Sequence, residues 1–357
     1  MKIGFDAKRY YHNHTGLGNY SRTLVHDLQR LFPGNEYVLY DEKSLGRTFR
    51  LGHKAAAEGC AIYHGLSNEI PLDITSQKGI RSIVTIHDVA WRTFPDMYHL
   101  FDRHMYDLKY GYAARHAEVV VCISESTKRD VMRFYGVPEE RTRVIYQPVN
   151  TIFYTPITNE EAERRIATCP QLTQLPENFI LNVGSINSRK NLLGIVKALE
   201  LMPRDQRPPL VVIGNGREYR REVERYIAEH DLGKYVLILG NVSDTEVLQA
   251  LYKKASVMVY PSFYEGFGLP VVEAALQRTP VITSTVSSLP EAAGEAACLI
   301  DPHAADASEQ MAYHINRLLT DSEASRIMGQ SIEHYARQCF DPDRLTHKMM
   351  SLYESLC

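Results

Sequence analysis

Short apolar runs alternate with segments of helical periodicity along most of this 357-residue chain, and the alternation stops near residue 150 and then starts again. Alternating strands and helices are typical of a parallel sheet covered by helices on both faces. Because one hydrophobic core seldom extends over so many residues, the restart predicts two doubly wound α/β domains. In the first domain we expect strands at 2–6, 36–40, 61–64, 82–87, 119–123 and 143–146, and helices at 17–31, 98–116 and 125–135.

The interruption carries Pro156, Pro170 and Pro176, and 150–178 is therefore interpreted as a linker around a charged helical patch at 160–167. We place the domains at 1–155 and 156–340, followed by a last segment at 341–357. In the second domain we expect strands at 179–183, 210–213, 236–239, 257–260, 281–283 and 297–300, and helices at 191–201, 217–231, 244–254, 268–276, 305–320, 322–339 and 342–356.

Composition excludes several classes of protein. The net charge is −3, whereas nucleic-acid-binding domains are usually strongly basic. No apolar run reaches the ~18 residues that a membrane span needs, and residues 1–6 lead directly into a strand, so we expect a cytoplasmic protein. No histidines and cysteines have the spacing of a metal site, and Asp341-Pro342-Asp343 is typical of a helix cap.

Two glutamates, Glu265 and Glu273, follow the apolar run 257–260 in the segment Pro-Ser-Phe-Tyr-Glu-Gly-Phe-Gly-Leu-Pro-Val-Val-Glu-Ala. A buried strand, a loop rich in glycine and proline, and a helix with a second carboxylate place both acids at the carboxyl end of a strand. Doubly wound sheets bind their ligands at that edge. The spacing therefore predicts a ligand site built on these two acids.

Two adjacent cations, Arg189 and Lys190, lie between the strand at 179–183 and the helix at 191–201. Fixed cations near a helix N-terminus stabilise the charge that develops on a leaving diphosphate. Gly184 stands in the same loop and Gly214 ends the next strand, where loops commonly wall a nucleotide base. A solvated basic pair is the alternative, but the position between strand and helix favours a function.

The first domain offers a weaker set of candidates. Gly16 and Gly18 open a helix, where glycines allow close backbone approach and free amides favour a phosphate, although a simple turn fits equally well. The third glycine of a dinucleotide fingerprint is missing, which argues against a redox cofactor. His87 ends a strand and would hydrogen-bond a sugar hydroxyl or serve the structure alone. Ser124 is interpreted as a helix cap.

Together these motifs resemble retaining glycosyltransferases of family 4, which have the GT-B fold. The resemblance spans nearly the whole chain and rests on Gly16 and Gly18, His87-Asp88, Gly184 with Arg189-Lys190-Asn191, and Glu265 with Glu273. It implies two Rossmann-like doubly wound domains facing across a cleft, with the C-terminal helix crossing back to the first domain. Ser185 is a departure, because many relatives carry arginine after this glycine.

The resemblance also implies roles for the residues. Glu273 would receive the ribose hydroxyls, and Glu265 would lie beside the transferred sugar. Lys190 and Arg189 would bind the diphosphate, and His87 would meet the donor from the opposite domain. The remaining donor-binding positions implied in this way are Gly16, Gly18, Gly184, Gly214, Ser262, Phe267, Gly268 and Leu269.

From the resemblance we expect a metal-independent enzyme without a cofactor that moves a hexose from a nucleotide diphosphate sugar to a glycan or lipid-linked glycan. The motif resembles mannosyltransferases that use GDP-mannose in surface polysaccharide assembly. A UDP-sugar donor, a sugar-nucleotide epimerase and a nucleotide-sugar-binding regulatory module are the alternatives. The aromatic and basic segment 98–116 predicts peripheral contact with the inner face of the cytoplasmic membrane or, equally, a packed helix.

Overall fold

The computed structural model describes residues 1–13, 16–42 and 44–357. They divide into unit 1, which contains Met1–Asn150 and Phe340–Cys357, and unit 2, which contains Thr151–Cys339. The sequence prediction put the two boundaries at 155/156 and 340/341, whereas the division in the structure falls at 150/151 and 339/340.

Unit 1 contains a six-stranded parallel sheet in the order β2-β1-β3-β4-β5-β6. Its strands are β1 (Lys2–Asp6), β2 (Glu36–Tyr40), β3 (Ile62–Gly65), β4 (Arg81–Ile86), β5 (Val119–Cys122) and β6 (Thr142–Val144). Every position of β5 is buried, because helices cover both faces of a parallel sheet. The strands predicted for this part of the chain are confirmed, with small shifts at their ends.

The helices of unit 1 are α1 (Lys8–His12), α2 (Gly16–Leu31), α3 (Ser44–Phe49), α4 (Leu51–Ala57), α5 (Ala90–Thr93), α6 (Leu100–His116) and α7 (Glu125–Tyr135). The Ser124 hydroxyl accepts the amide of Thr127 at 3.0 Å, which confirms the predicted cap of α7. In α6, Tyr106 packs against Trp91 with ring centroids 5.4 Å apart, as the packing alternative expected, whereas Phe101 is 75% exposed.

Unit 2 repeats the architecture with the strand order β12-β11-β10-β7-β8-β9. Its strands are β7 (Ile180–Val183), β8 (Leu210–Ile213), β9 (Val236–Leu239), β10 (Val257–Tyr260), β11 (Val281–Ser284) and β12 (Cys298–Ile300). Its helices are α8 (Asn159–Ala167), α9 (Leu192–Leu201), α10 (Glu218–Glu229), α11 (Thr245–Lys254), α12 (Leu269–Leu276), α13 (Leu289–Ala293), α14 (Ala307–Thr320) and α15 (Ser322–Phe340). Short 3-10 helices lie in unit 1 at Ile74–Ser76, Pro95–Met97 and Glu139–Arg141, and in unit 2 at Thr151–Tyr154, Pro170–Leu172 and Ser188–Lys190.

The interpretation of 150–178 as a linker is wrong, because its first part is built into unit 2. The buried side chain of Gln249 donates to the carbonyls of Ile152 and Thr155 at 2.9 and 2.7 Å. Gln277 donates to the carbonyl of Phe153 at 2.6 Å, and α8 packs against α11. The prolines interrupt regular secondary structure here, but the segment remains packed against the core of unit 2.

The last helix, α16 (Pro342–Leu356), belongs to unit 1 and packs against α2. The Asp341 carboxylate accepts the amide of Arg344 at 2.8 Å, which confirms the predicted helix cap. Inside unit 1, the Tyr353 hydroxyl lies 2.7 Å from Nδ1 of the buried His64. No helix in the described part of the chain is long and apolar enough to cross a membrane.

In each sheet the chain order reverses at one point. The reversal lies between β1 and β3 in unit 1 and between β7 and β10 in unit 2. Loops that leave the carboxyl ends of such strands diverge to opposite faces of the sheet and leave a crevice for a ligand. A ligand-binding site is therefore expected at the reversal point of each unit.

Candidate active site

The reversal point of unit 2 brings together the loops that contain both predicted charged motifs. Arg189 and Lys190 follow β7, and Glu265 follows the neighbouring strand β10. The Glu265 carboxylate lies 2.8 Å from Nζ of Lys190 and 3.1 Å from Nη1 of Arg189. The two cations therefore face a single carboxylate at a strand end, which gives the cluster a net charge of one positive unit.

Tyr260 completes this cluster. Its hydroxyl donates to Oε1 of Glu265 at 3.0 Å and accepts a hydrogen bond from Nζ of Lys190. The Lys190 ammonium also lies 4.7 Å from the centre of the tyrosine ring, within the range of a cation–π contact. Sequence reasoning missed this residue, although its position at the end of an apolar run places its side chain at the carboxyl edge of the sheet.

The charge state of Glu265 follows from these contacts. Burial by itself raises the pKa of the carboxyl group, but Lys190 and then Arg189 outweigh burial and lower the pKa to about 2. Glu265 is only 8% exposed, so a carboxylate here depends on its two cations. It is ionised throughout the physiological pH range.

Backbone geometry fixes the cation loop. The Asn187 side chain accepts the amide of Lys190 at 3.2 Å, and Asn191 turns into the helix with left-handed backbone angles (φ 57°). The Asn191 side chain donates to the carbonyl of Pro261 at 3.2 Å, and the amide of Phe263 donates to the carbonyl of Arg189 at 2.8 Å. The loops after β7 and β10 are thus joined directly to each other.

Gly214 allows the ends of β7 and β8 to approach closely, whereas Gly184 has a backbone conformation that favours glycine. A Cβ atom at position 214 would lie 1.9 Å from the carbonyl oxygen of Gly184. At position 184 the backbone has a φ of +145°, and the side chain of Lys190 lies 3.5 Å from where a Cβ would stand. Ser185, the departure from the family pattern, accepts a hydrogen bond from Asn187 at 3.0 Å. Gly214 therefore has a packing role, and Gly184 has a backbone conformation that favours glycine; both are independent of any ligand.

The loop after Glu265 leads into the N-terminus of α12. Gly268 takes a φ of +109°, and a Cβ there would lie 2.9 Å from Leu289. The helix has no side-chain cap, which leaves the amide of Leu269 for a ligand. The Ser288 hydroxyl lies 2.8 Å from the carbonyl of Phe267 and fixes this turn. Ser262 is fully buried within reach of the Glu265 carboxylate, whose pKa it helps to lower.

Glu273 lies on α12 and has a different environment from Glu265. Burial raises the pKa of its carboxyl group to about 7, although the hydroxyl of Tyr252 opposes this by donating to Oε2 at 2.8 Å. No described side chain provides a cation for it. Sequence reasoning missed Tyr252, which lies in α11 with no motif around it.

In unit 1 the structure places His87 just beyond the end of β4, where it is buried. Its Nε2 lies 2.9 Å from the carbonyl of Leu66, and a carbonyl only accepts, so Nε2 carries the proton. Asn68 accepts the backbone amide of His87 at 2.7 Å. Burial lowers the pKa of the ring to about 4. The neutral ring therefore has a lone pair on Nδ1 with which to accept a hydroxyl.

The two glycines at the start of α2 differ from each other. A Cβ at Gly18 would lie 1.8 Å from the carbonyl oxygen of Asn13, whereas a Cβ at Gly16 would meet no atom of the described residues within 4 Å. The fold therefore requires glycine at position 18. At position 16 it does not, so Gly16 is the one of the two that a ligand contact would explain. Among the described residues, no group of three or more His, Cys, Asp and Glu side chains could hold a metal ion.

Comparison with known proteins agrees with this architecture. A family model described as glycosyl transferases group 1 matches residues 170–335, and one described as Glycosyltransferase Family 4 matches residues 17–153. The chain is 30% identical to the O-antigen chain mannosyltransferase B of Escherichia coli over 397 aligned residues, which cover 100% of both proteins.

Two solved structures have the same fold. Sucrose-phosphate synthase from Thermosynechococcus elongatus has a TM-score of 0.79 at 21% identity, covering 100% of this chain and 99% of that one. Anabaena HepE in complex with UDP has a TM-score of 0.76 at 17% identity, covering 99% of this chain and 100% of that one. The fold is GT-B, and the chain belongs to the family 4 (group 1) glycosyltransferases.

Proposed function

We propose that this enzyme is a retaining mannosyltransferase that transfers mannose from GDP-mannose to a glycan or lipid-linked glycan acceptor in surface polysaccharide assembly. The observation that carries the proposal is the cluster of Lys190, Arg189 and Glu265 at the reversal point of unit 2. Two cations against one carboxylate leave an excess positive charge, which suits a diphosphate. The roles proposed below for other residues of this site depend on the same placement.

The diphosphate is the leaving group in this proposal. As the bond from the sugar to the diphosphate breaks, negative charge develops on the leaving oxygen. Lys190, Arg189 and the uncapped amide of Leu269 neutralise that charge from fixed positions, which lowers the barrier without reorganisation at the moment of reaction. Because the cations are already held by Glu265 and Tyr260, they are preorganised before the donor arrives.

The environment of Glu265 favours same-face substitution over double displacement. Double displacement requires a carboxylate that is free to attack the anomeric carbon. Here one oxygen of Glu265 contacts Lys190 and Tyr260, and the other contacts Arg189. We therefore infer that Glu265 orients the sugar and the cations, and that the leaving diphosphate oxygen accepts the proton of the acceptor hydroxyl.

The nucleoside and the sugar have separate candidate contacts. Glu273 presents a carboxyl group whose Oε1 can accept a ribose hydroxyl while Oε2 accepts from Tyr252. In unit 1, the lone pair on Nδ1 of His87 suits a hydroxyl of the transferred hexose. Donor contacts from four further residues stay predictions, namely those of Gly16, Gly18, Gly214 and Ser262.

The identity of the sugar and the base rests on similarity. The Escherichia coli relative that matches over its full length is an O-antigen chain mannosyltransferase, which supports mannose and a polysaccharide product. HepE was crystallised with UDP, which keeps a UDP-sugar as the second candidate donor. The loops that contact the base carry no sequence pattern that separates guanine from uracil.

A thermal-shift panel with GDP, UDP, ADP and their sugars tests the donor. A ligand present at a hundred times its Kd stabilises the folded state by about 2.7 kcal/mol, so the correct nucleotide should raise Tm clearly above the others. We expect the largest shift with GDP and GDP-mannose. A larger shift with UDP and its sugars would replace the donor in the proposal.

Product analysis tests the reaction. Incubation with GDP-mannose and an acceptor should give GDP and an α-mannoside by NMR, since the anomeric configuration of the donor is kept. Incubation with donor alone should give little turnover. Rapid donor consumption without acceptor would favour the epimerase alternative, and a β-linked product would refute retention.

A further inference from the structure

The loop between β10 and α12 carries Glu265 and has no regular secondary structure. Gly266 and Gly268 stand in this loop, and glycine allows a backbone to take many conformations. The first half of the loop is joined to the loop after β7 through Pro261 and Phe263. The contacts of the second half therefore decide where the carboxylate of Glu265 stands.

A short segment that begins in β11 bonds to the backbone of this loop through its hydroxyl groups. The Thr283 hydroxyl donates to the carbonyl of Tyr260 at 2.7 Å. The Ser284 hydroxyl donates to the carbonyl of Ser262 at 2.7 Å. Both donors are fully buried, where a carbonyl left without a partner would be costly. These two bonds fix the start of the loop that carries Glu265.

The next two hydroxyls of the segment hold the peptide groups of Glu265 itself. The Ser287 hydroxyl accepts the amide of Glu265 at 3.0 Å. The Ser288 hydroxyl donates to the carbonyls of Glu265 and Phe267, each at 2.8 Å. The two serines thus hold Glu265 on both sides of its Cα atom. The place of the carboxylate beside Lys190 follows from this backbone position.

Ser287 has an unusual backbone conformation for a serine. Its φ is 55°, in the left-handed region, where side chains other than those of glycine and asparagine clash with the backbone. Residues persist in such conformations when their surroundings fix them, and these positions cluster at functional sites. Glycine would relieve the strain but has no hydroxyl to accept the amide of Glu265. That hydrogen bond therefore explains a serine where the backbone favours glycine.

We propose that Ser287 is a positioning residue of the transfer reaction and acts through the backbone of Glu265. Its hydroxyl holds the amide so that the carboxylate meets Lys190 and Arg189 in one arrangement before the donor binds. Stabilisation by fixed charges depends on this preorganisation. The inference rests on the proposed function, in which the two cations stabilise the leaving diphosphate. Without the hydroxyl the charges remain, but the cluster loses its fixed geometry.

Two substitutions at this position separate positioning from stability. Ser287→Gly and Ser287→Ala both remove the hydroxyl, but only glycine relieves the strain, so we expect the lower Tm in the alanine variant. In both variants kcat should fall by at least roughly fivefold. The KM of the donor should stay nearly unchanged, because preorganisation acts in the transition state. A purely structural role would make kcat follow Tm, and normal kcat in Ser287→Gly would overturn the proposal.

Asp231→Gly is the matched control for the backbone change. Asp231 has a φ of 54° and is exposed beyond the end of α10, where its carboxylate lies 3.9 Å from Arg204. Glycine relieves the same strain there without removing a contact to Glu265, so kcat should stay at the wild-type value. An equal loss of kcat in Asp231→Gly would show that the hydroxyl is not the cause and would overturn the assignment.

Hydrogen–deuterium exchange of the full-length protein tests the contact without turnover. The hydroxyl of Ser287 protects the amide of Glu265 in the wild type, so one amide in the peptide 261–268 should exchange at least roughly fivefold faster in Ser287→Gly. Asp231→Gly should leave this peptide unchanged. Equal exchange in Ser287→Gly and the wild type would overturn the contact on which the role depends.

The failure of this inference is separable from the failure of the proposed function. If the wild type transfers mannose from GDP-mannose and Ser287→Gly keeps its kcat, the positioning role fails and the proposed function stands. If the wild type does not use GDP-mannose but the amide of Glu265 exchanges faster in Ser287→Gly, the proposed donor fails and the contact stands. The comparison of kcat is then made with the nucleotide sugar that the wild type uses.

Discussion

A Lys190→Met substitution removes the ammonium group from the Glu265 cluster and keeps most of the aliphatic side chain. Loss of one preorganised charge contact to a developing anion lowers turnover by at least ~10²-fold. The same change leaves Glu265 with one cation in place of two. The pKa of Glu265 is lowered from 4.5 to about 2, an interval worth about 3 kcal/mol at about 1.4 kcal/mol per pKa unit.

Lys190 lowers this pKa more than Arg189 does, so its removal should cost at least half of that amount, about 2 kcal/mol. For a domain the size of unit 2 (Thr151–Cys339) the loss corresponds to a fall in Tm of roughly 4–8 °C. The lowered pKa also determines how the stabilisation changes with pH. The stabilisation is fully present above pH 4.5 and is lost as pH falls through about 2, so the difference in Tm between variant and wild type should shrink below pH 4.5.

The double variant Lys190→Met with Glu265→Gln separates stability from catalysis. Replacing the carboxylate by an amide removes the buried negative charge that Arg189 alone would otherwise neutralise, and Arg189 keeps the carbonyl of Tyr264 as an acceptor. Tm should therefore recover toward the wild-type value while turnover stays low. Lys254→Met is the matched control, because Lys254 pairs with Glu163 on the surface of unit 2 at 2.8 Å. Turnover measured by GDP release and Tm by calorimetry give both quantities. Near-normal turnover in Lys190→Met would refute the role of the cation in leaving-group stabilisation.

Three further outcomes follow from the same contacts. Glu273→Gln should raise Tm at pH 8 but not at pH 5, because the raised pKa of the wild-type carboxyl, about 7, makes its ionised form costly as pH rises. It should also weaken GDP binding by roughly fivefold, and unchanged affinity would contradict the ribose contact. Gly16→Ala should keep Tm and raise the donor KM, whereas Gly18→Ala should lower Tm because its Cβ meets the carbonyl of Asn13. Activity should persist after dialysis against EDTA, and recovery only with added Mg²⁺ or Mn²⁺ would contradict the metal-independent mechanism.

The regular elements were predictable because each strand is a short apolar run that a parallel sheet buries on both faces. The short helices α1, α3, α4, α5 and α13 were not predicted, since none has enough residues to show helical periodicity. The linker interpretation failed for a related reason. Buried glutamines hold the backbone carbonyls of 152–155, and a contact between distant segments leaves no local pattern.

The cluster of Arg189, Lys190 and Glu265 was predicted as a set of residues but not as an ion-paired group. Their positions after two strands were readable from the chain, whereas the adjacency of those strands depends on the sheet order. Tyr260 and Tyr252 escaped prediction because a tyrosine at the end of a strand or within a helix usually serves the core. The packing role of Gly214 was also not predictable, because it depends on two strand ends meeting in space.

The two glutamates of the motif differ in pKa, and the sequence alone did not reveal this difference. Both acids are buried enough for desolvation to raise their pKa values, yet one has a pKa of about 2 and the other about 7. Two cations contact Glu265, whereas among the described side chains Glu273 has only the hydroxyl of Tyr252 as a partner. Environments that separate the pKa values of neighbouring acids assign them different tasks. In the proposed function, a permanently charged Glu265 holds the cations in place for a diphosphate, and a carboxyl that ionises near neutrality suits hydrogen bonds to uncharged hydroxyls.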